Sequence, residues 1–278
     1  MIREIAGRHN QSVRLARKLQ QKKHRRDRGL LVCEGLDLLE AAVEGGAHIV
    51  EVLVREDLVH ALPDPVLRAA EDSRADSGGA DVGVCSRETL EYASGLGGGA
   101  DVISVFRQPL RSLADIPLGE GTAFFLDGVG DPGNVGTITR TSYAFGLTGV
   151  ICGPGTADPF SPKAMRAGMG SQFMLPVVAD VAVSDINARI AGAVEKAGAV
   201  IRVLVADAHQ GEDVALVRKD PGAVIVLGSE REGASVGWHG ARRVTVPQSR
   251  GESLNVAMAA TVIAYAWSRQ DGQGGVGN

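Results

Sequence analysis

The sequence contains few cysteines and histidines, and their spacing does not form a metal site or a disulfide framework. Cys33, Cys85 and Cys152 are scattered and include no Cys-x-x-Cys pair, while the six histidines include no His-Glu-x-x-His pattern. Three isolated cysteines are typical of small buried side chains rather than of disulfide partners. We therefore expect no bound metal and no disulfide.

Long apolar runs are also missing. No segment approaches the roughly 18 to 20 consecutive apolar residues that a membrane-spanning helix needs, and the first residues include no apolar signal segment. Nevertheless, 44% of the 278 residues are hydrophobic, which is enough to build sizeable cores. We expect a globular, cytoplasmic protein that has no membrane partner.

Positive charge is concentrated at one end of the chain. The first 28 residues carry ten lysines and arginines against Glu4 and Asp27, whereas the whole chain has a net charge of −4. A basic block of this kind is typical of a surface that neutralises nucleic-acid phosphates. It is equally typical of a solvated helix face or an unfolded arm, and composition leaves these alternatives open.

The hydrophobic pattern predicts two α/β units. Strands and helices alternate over residues 1–107, beginning with a basic amphipathic helix whose apolar stripe is Val13, Leu15, Ala16 and Leu19. Residues 108–120 contain two prolines and few large apolar side chains, so we predict a linker there. A second unit is predicted over residues 121–270, followed by a disordered glycine-rich tail at 271–278.

The second unit has the pattern of a parallel sheet. Ala223-Val-Ile-Val-Leu227 is apolar without alternation, as expected of a strand that is covered on both faces. The predicted strands are 122–126, 149–152, 175–179, 200–206, 223–227 and 242–246, and the predicted helices are 135–144, 162–168, 185–196 and 253–267.

One glycine-rich turn suggests a dinucleotide site. Gly128-x-Gly130-x-x-Gly133 lies between a predicted strand and a predicted helix, as in nicotinamide-binding folds. Such folds also place a carboxylate at the end of the second strand, which here reads Val150-Ile-Cys-Gly-Pro154 and has none. The pattern therefore argues against a nicotinamide enzyme.

Three polar motifs follow predicted strands of the second unit. They are Asp131-Pro-Gly-Asn-Val-Gly-Thr-Ile-Thr-Arg140, Leu227-Gly-Ser-Glu-Arg-Glu-Gly233 and Val246-Pro-Gln-Ser-Arg-Gly-Glu-Ser-Leu-Asn-Val256. Because the carboxyl ends of parallel strands meet at one edge of a sheet, we expect the three loops to form a pocket for a small polar ligand. The side chains predicted to point into it are Asn134, Arg140, Glu230, Ser253 and Asn255.

Together the motifs resemble those of the SpoU-type (TrmH-like) RNA ribose 2′-O-methyltransferases of the SPOUT superfamily. Asn134-x-Gly136-x-Ile138-x-Arg140, Gly228-x-Glu230-x-x-Gly233 and Ser253-Leu-Asn-Val256 are similar to that family's three motifs. The chain departs from the pattern at Gly168, Gln248 and Ala257, where serine, methionine and serine are common. More loosely, Glu34-Gly35 and its surroundings resemble the small ribosomal-protein-like domain with which several members bind RNA.

The resemblance implies a SPOUT domain with a parallel sheet and a deep trefoil knot, and an obligate homodimer with active sites at the subunit interface. It implies S-adenosylmethionine as the cofactor and RNA as the substrate, with 23S ribosomal RNA favoured over transfer RNA. A non-catalytic RNA-binding assembly factor is the alternative from another class. Arg140 is expected to act as the base or to stabilise the developing alkoxide, and these two roles stay open.

The same resemblance implies roles for further residues. The catalytic set is Arg140, Asn134, Glu230, Ser253 and Asn255. The cofactor-binding set is Ala206, Gly228, Val246, Gln248 and Leu254. Together with the basic first segment, it points to RNA contacts by Arg14, Lys18, Lys22, Arg25, Arg26 and Arg166. Asn134, Ser253 and Asn255 are also residue types that cap helices, so each has a structural alternative.

Overall fold

The computed structural model of the chain describes residues 1–71, 81–95, 99–238, 240–251 and 253–270. The chain divides into two compact units. The first comprises Met1–Leu110 and Phe160–Met174, and the second comprises Arg111–Pro159 and the chain from Leu175 onward. The predicted boundaries had assigned the segment 160–174 to the C-terminal domain, and contacts group it with the first unit instead. The predicted tail at 271–278 lies outside the described residues.

The described elements are as follows. The strands are β1 Ile2–Glu4, β2 Leu30–Glu34, β3 Ile49–Arg55, β4 Asp81–Cys85, β5 Val102–Arg107, β6 Thr122–Asp127, β7 Gly149–Cys152, β8 Val177–Val178, β9 Ile201–Ala206, β10 Glu212–Asp213, β11 Gly222–Gly228 and β12 Arg242–Thr245. The α-helices are α1 Gln11–Leu19, α2 Lys22–Arg28, α3 Leu36–Glu44, α4 Asp64–Glu71, α5 Arg87–Ala93, α6 Pro132–Ala144, α7 Pro162–Ala167, α8 Val183–Ala197 and α9 Val256–Arg269.

The first unit is built on a mixed five-stranded sheet of order β1-β4-β3-β5-β2. Strands β1, β4 and β3 are parallel neighbours, while β5 runs antiparallel to both β3 and β2. From the predicted apolar stripe of the first helix, Val13, Ala16 and Leu19 are fully buried and Leu15 is partly buried. The basic face of that helix is therefore left on the surface.

The basic segment is two helices rather than one. Helix α1 ends at Leu19, and a separate helix, α2, begins at Lys22 and carries Lys22 and Lys23. Helix α2 ends at Gly29, whose φ of 61° is a left-handed conformation that glycine adopts without strain. Strand β1 was not predicted, because its three exposed residues show no apolar alternation.

The second unit contains a seven-stranded, fully parallel sheet of order β10-β12-β9-β11-β6-β7-β8. The apolar strand β11 lies near its centre between β6 and β9, and its residues 222–227 are buried, as the unalternating pattern predicted. Helices α6 and α9 pack together, with Thr141 Oγ1 3.0 Å from Thr261 Oγ1. The predicted α/β fold with a parallel sheet is confirmed.

The three cysteines are buried, as expected from their scatter. Burial raises the pKa of the Cys85 thiol to about 11. Within the part of the chain that the structure describes, no helix has both the length and the apolar character needed to cross a membrane.

Candidate active site

Three loops of the second unit meet beyond the carboxyl ends of β6, β11 and β12. In this region the carboxylate of Glu230 accepts hydrogen bonds from two side-chain amides through Oε1, from Asn134 Nδ2 at 3.1 Å and from Asn255 Nδ2 at 3.0 Å. Asn255 Nδ2 also lies 3.2 Å from Asn134 Oδ1. These three residues, called the amide–carboxylate triad below, come from three separate sequence motifs.

Helix ends hold the two asparagines in place. Asn255 is the N-cap of α9, where its Oδ1 accepts from the backbone N–H groups of Ala257 at 3.0 Å and Met258 at 3.4 Å. Its Nδ2 is thereby turned toward Glu230. The N-cap of α6 is Asp131, whose Oδ1 accepts from the backbone N–H of Asn134 at 3.0 Å. Asn134 is therefore not the cap of that helix, and its side chain is used in the triad.

Glu230 lies at the tip of a tight turn. Ser229 and Gly233 exchange two backbone hydrogen bonds of 3.1 and 3.0 Å, and Ser229 Oγ accepts from the N–H of Glu232 at 3.0 Å. A Cβ added at Gly228 would collide with the backbone of Gly233. The backbone of the turn therefore occupies the space that a side chain at position 228 would need.

A buried carboxylate holds the far end of the same loop. Asp127, at the end of β6, is 8% exposed, and its Oδ2 accepts from the backbone N–H of Ser235 at 2.7 Å and from Trp238 Nε1 at 3.0 Å. The Trp238 ring packs edge-on against Phe125, with centroids 4.9 Å apart. This anchor fixes the Glu230 loop to the strand that precedes the Asn134 loop, and the sequence analysis missed it.

Beside the triad is a cleft with a volume of about 670 Å³. All five residues predicted to bind the cofactor line it, and so do Glu230, Ser253 and Asn255. Its remaining walls include Asp207, His209, Arg243, Ala259 and Ile263. Its volume lies within the roughly 300 to 1,000 Å³ of small-molecule pockets.

The cleft suits S-adenosylmethionine chemically. Apolar surface from Ala206, Val246 and Leu254 can cover an adenine ring, while the carboxylates of Glu230 and Glu232 at the same cleft complement the positive sulfonium. Asp207 also lines it and forms an ion pair with Arg243. The sequence analysis did not single out Asp207, although it directly follows the predicted strand 200–206.

Burial acts to raise the pKa of Asp207, but other contacts outweigh it. The backbone N–H of His209 and the guanidinium of Arg243 favour the charged form, and the backbone N–H of Gln210 contributes as well, so the pKa lies below its ordinary value of 3.8. Asp207 is therefore a fixed negative charge in the wall of the cleft.

Arg140 is not part of the triad within one chain. It lies on α6, is exposed, and makes no hydrogen bond or ion pair with any residue that the structure describes. It follows Asn134 by six positions, which places the two about 120° apart around the helix. Among the described residues, the hydrogen bonds of Glu230 are to Asn134 and Asn255 and not to Arg140.

Arg25, one of the predicted RNA contacts, is buried and therefore not available to RNA. It is 3% exposed, and its Nη1 donates to the backbone carbonyls of Leu19 at 2.9 Å and Gln20 at 3.0 Å. Burial makes it a structural tie between α1 and α2 rather than a surface cation. The other predicted RNA contacts are exposed side chains of the first unit, namely Arg14, Lys18, Lys22, Arg26 and Arg166.

Ser253 lies in the same cleft but precedes α9 and is not its cap, in contrast to one expectation. Among the described residues, no group of three or more histidines, cysteines, aspartates or glutamates is close enough together to hold a metal ion.

Comparisons with known proteins assign both units. Residues 121–265 match the SpoU rRNA Methylase family, and residues 10–114 match the MRM3-like substrate binding domain. The chain is 27% identical to the 23S rRNA (guanosine(2553)-2′-O)-methyltransferase RlmP of Bacillus subtilis, over 95% of this chain and 98% of that protein. It is 32% identical to the 23S rRNA (uridine(2479)-2′-O)-methyltransferase of Streptomyces viridochromogenes, over 61% of this chain and 60% of that protein.

Solved structures of methyltransferases also match the fold of this chain. The SpoU methyltransferase AviRb from Streptomyces viridochromogenes, in complex with the cofactor AdoMet, superposes with a TM-score of 0.82 at 26% identity and covers 94% of this chain and 98% of its own. An AdoMet-bound rRNA methyltransferase from Sinorhizobium meliloti gives a TM-score of 0.80 at 28% identity, over 96% and 98% of the two chains.

These findings confirm the predicted family, its S-adenosylmethionine cofactor and the RNA methyltransferase class. The family match over residues 121–265 spans more than half of the chain, and the protein therefore belongs to the SpoU rRNA methylase family.

Proposed function

We propose that this protein transfers the methyl group of S-adenosylmethionine to a ribose 2′-hydroxyl of 23S ribosomal RNA. The observation that carries the proposal is the amide–carboxylate triad at the edge of the 670 Å³ cleft, with its three members on three different loops. The names of the two curated relatives, both 23S rRNA 2′-O-methyltransferases, support the substrate.

In this proposal the residues of the cleft bind S-adenosylmethionine and orient it. When bound, S-adenosylmethionine supplies an activated methyl group on a sulfonium, so the protein needs no other cofactor. The apolar side chains of Ala206, Val246 and Leu254 exclude water from the cleft, and Gln248 adds a side-chain amide to its wall. The carboxylate of Glu230 provides negative charge where a sulfonium would lie, and Asn134 and Asn255 hold that carboxylate still.

A ribose hydroxyl is a weak nucleophile at neutral pH, so its proton must be drawn off or its developing negative charge stabilised. We assign this task to Arg140. A guanidinium is normally always protonated, which favours stabilisation of the alkoxide and of a neighbouring phosphate over a literal base role. Ser253, at the same cleft, supplies a hydroxyl that can hydrogen-bond the substrate.

A homodimer explains how Arg140 reaches a site. Tyr143 lies three residues after Arg140 on the same face of α6 and is 44% exposed. Helix α9 exposes Met258, Val262 and Tyr265 at helical spacing, with 63%, 42% and 54% of their surfaces accessible. Apolar side chains arranged in this way favour burial against a second copy. We propose that the dimer forms through α6 and α9 and that Arg140 serves the partner subunit's cleft.

The first unit is proposed to bind the RNA. Arg14, Lys18, Lys22 and Arg26 present cations on α1 and α2, and Arg166 presents one on α7. Exposed cations release counterions when they neutralise phosphates, which supplies affinity without sequence preference. Ribosomal RNA as substrate agrees with a cytoplasmic location, which we also propose. The trefoil knot stays a prediction from the family resemblance.

The test is transfer of tritiated methyl groups from S-adenosylmethionine to purified 23S, 16S and transfer RNA, and to ribosomal precursor particles, all from cells that lack this protein. The proposal predicts label in 23S RNA or in its precursor particle. Label only in transfer RNA would move the substrate to that class. Absence of label from every fraction, with S-adenosylmethionine still bound, would instead favour a non-catalytic assembly factor.

A further inference from the structure

The first unit contains a second, polar cleft of about 760 Å³, lined on one side by α1 and on the other by α5 together with Ser94, Gly95 and Gly99. The residues that line it are Arg17, Gln20, Gln21, Arg87, Glu91, Ser94, Gly95 and Gly99. None of them has a large apolar side chain, so the cleft suits a polar ligand that can use guanidinium, amide and hydroxyl groups.

Arg17 is fixed in this cleft before any ligand binds. Its Nη1 donates to the backbone carbonyls of Tyr92 and Ser94, at 2.9 Å each. Its guanidinium carbon lies over the Tyr92 ring, 5.3 Å from the centroid. Tyr92 thus backs one face of the guanidinium, and the remaining N–H groups have no partner among the described residues. A planar cation held in this way can stack on a base and donate hydrogen bonds at the same time.

A buried carboxylate shapes the floor of the cleft. Glu34, 4% exposed, accepts hydrogen bonds from Gln20 Nε2 at 3.0 Å, Ser94 Oγ at 2.6 Å and the backbone N–H of Gly95 at 2.8 Å. These bonds tie the chain after α5 to the end of α1. A Cβ at Gly95 would meet the side chain of Gln20, which would have to shift away from its present position. The cleft is therefore preformed rather than a gap between loose loops.

Positive charge continues from the cleft along α1. Arg14 and Lys18 lie three residues before and one residue after Arg17, and all three side chains are exposed on the polar side of the helix. Within the cleft, Glu91 is paired with Arg87 at 3.0 Å, so the unpaired cation there is Arg17. A ligand with one planar aromatic group and several flanking negative charges fits this arrangement.

We propose that this cleft binds an unpaired nucleotide of the substrate RNA, with the Arg17 guanidinium stacked on the base and Arg14 and Lys18 contacting the flanking phosphates. The base must be unpaired, because within an RNA duplex both faces of a base are stacked on neighbouring base pairs and are not accessible to the guanidinium. The inference rests on the proposed function in taking RNA as the substrate, and it names the part of the RNA that the first unit reads.

The test measures binding of the full chain to two probes by fluorescence anisotropy. One is a fluorescein-labelled single-stranded RNA of twelve mixed nucleotides, and the other is the blunt duplex of the same sequence. Replacing a side chain that stacks on a base by alanine weakens single-strand binding by at least about fivefold. Arg17→Ala should therefore lose at least that much affinity for the single strand and change duplex affinity less than about twofold.

Three variants sharpen the result. Arg17→Lys keeps the positive charge but lacks the planar guanidinium, so this variant should also lose affinity for the single strand. Tyr92→Phe keeps the ring behind Arg17 and should bind like the wild type. Arg68→Ala removes an exposed arginine of α4 that pairs with Asp64, and it should change the affinity for neither probe. Thermal unfolding of each variant separates loss of binding from loss of fold.

The outcomes separate this inference from the proposed function. Unchanged single-strand affinity in folded Arg17→Ala, or equal losses on both probes, would overturn the inference even if the wild type methylates RNA. Loss confined to the single strand supports it even if no RNA is methylated, a result that would remove only the proposed function. Competition by polyglutamate as effective as by RNA would overturn the inference in favour of an acidic protein partner.

Discussion

At the scale of single residues, the site depends on side chains that each make two kinds of contact. Asn255 caps α9 with its oxygen and binds Glu230 with its nitrogen, so helix geometry aims the amide. Asn134 has its backbone N–H held by Asp131 and its side chain directed to Glu230. In this arrangement, the position of the Glu230 carboxylate follows from where two helices begin.

The charge of Glu230 can be tested separately from its geometry. In Glu230→Gln, the amide oxygen can still accept from Asn134 and Asn255, but the negative charge that the cleft would offer to a sulfonium is lost. We expect the rate of methyl transfer to fall by at least about tenfold, as for other losses of electrostatic stabilisation. Single-turnover transfer to 23S RNA is the measurement, with Glu195→Gln on the surface of α8 as the control. An unchanged rate would limit Glu230 to a structural role.

Asp207 predicts a pH dependence of stability. Its pKa in the folded protein lies below 3.8, so its ionised form stabilises the fold, and this contribution is complete above the unfolded pKa and disappears as pH falls through the folded pKa. Asp207→Asn should therefore lower the free energy of unfolding at pH 7, and the gap to the wild type should close below about pH 4. Urea unfolding between pH 3 and 7 is the measurement, and a gap that stays constant with pH would contradict the account.

At the scale of secondary-structure elements, parallel strands explain why distant motifs meet. The loops after β6 and β11 lie side by side because these strands pair in register from Thr122 with Ala223 to Asp127 with Gly228. The sequence could predict this much, since apolar runs followed by polar motifs mark the carboxyl ends of buried strands. It could not predict that α1 would stop at Leu19, because the cations after Gln21 continue without any glycine or proline to mark a break.

The turn that carries Glu230 requires glycine at its base. In Gly228→Ala, the new methyl group would collide with the backbone of Gly233, which cannot move without opening the paired turn from Ser229 to Gly233. We expect a loss of stability of about 1–3 kcal/mol and weaker S-adenosylmethionine binding, measured by urea unfolding and calorimetry.

The matched control is Gly192→Ala in helix α8. A Cβ there meets nothing within 4 Å, so alanine should stabilise the helix by about 0.5–1 kcal/mol. If both substitutions had the same effect, crowding at the turn could not be the reason for glycine at position 228.

At the scale of the whole molecule, the sequence predicted which residues form the site better than it predicted which side chains elsewhere are buried or exposed. Asn134, Glu230 and Asn255 were predicted together because each follows a strand in a polar motif. The role of Arg17 and the burial of Arg25 could not be predicted, because both stand in one run of cations and only helix packing separates them. Local patterns show where the chain turns, whereas tertiary packing decides which side chains face solvent.

The proposed dimer predicts complementation between two inactive variants. If Arg140 serves the partner's cleft, a mixed dimer of Arg140→Ala and Asn255→Ala subunits contains one intact site, formed by Arg140 of one chain and Asn255 of the other. Each homodimer should transfer methyl groups at least about 10²-fold more slowly than the wild type. Co-expression of the two variants, which produces mixed dimers, should restore a sizeable fraction of wild-type activity. Activity that stays at the level of the homodimers would place Arg140 in the cleft of its own chain.

The product of the reaction tests the central claim most directly. 23S RNA or its precursor particle, labelled from tritiated S-adenosylmethionine, would be digested to nucleosides and separated by chromatography against 2′-O-methyl and base-methyl standards. The account predicts a single 2′-O-methylnucleoside, resistant to alkali at its 3′ linkage, whose rate of formation falls at least about tenfold with Glu230→Gln and at least about 10²-fold with Arg140→Ala. A methyl group on a base would contradict ribose methylation.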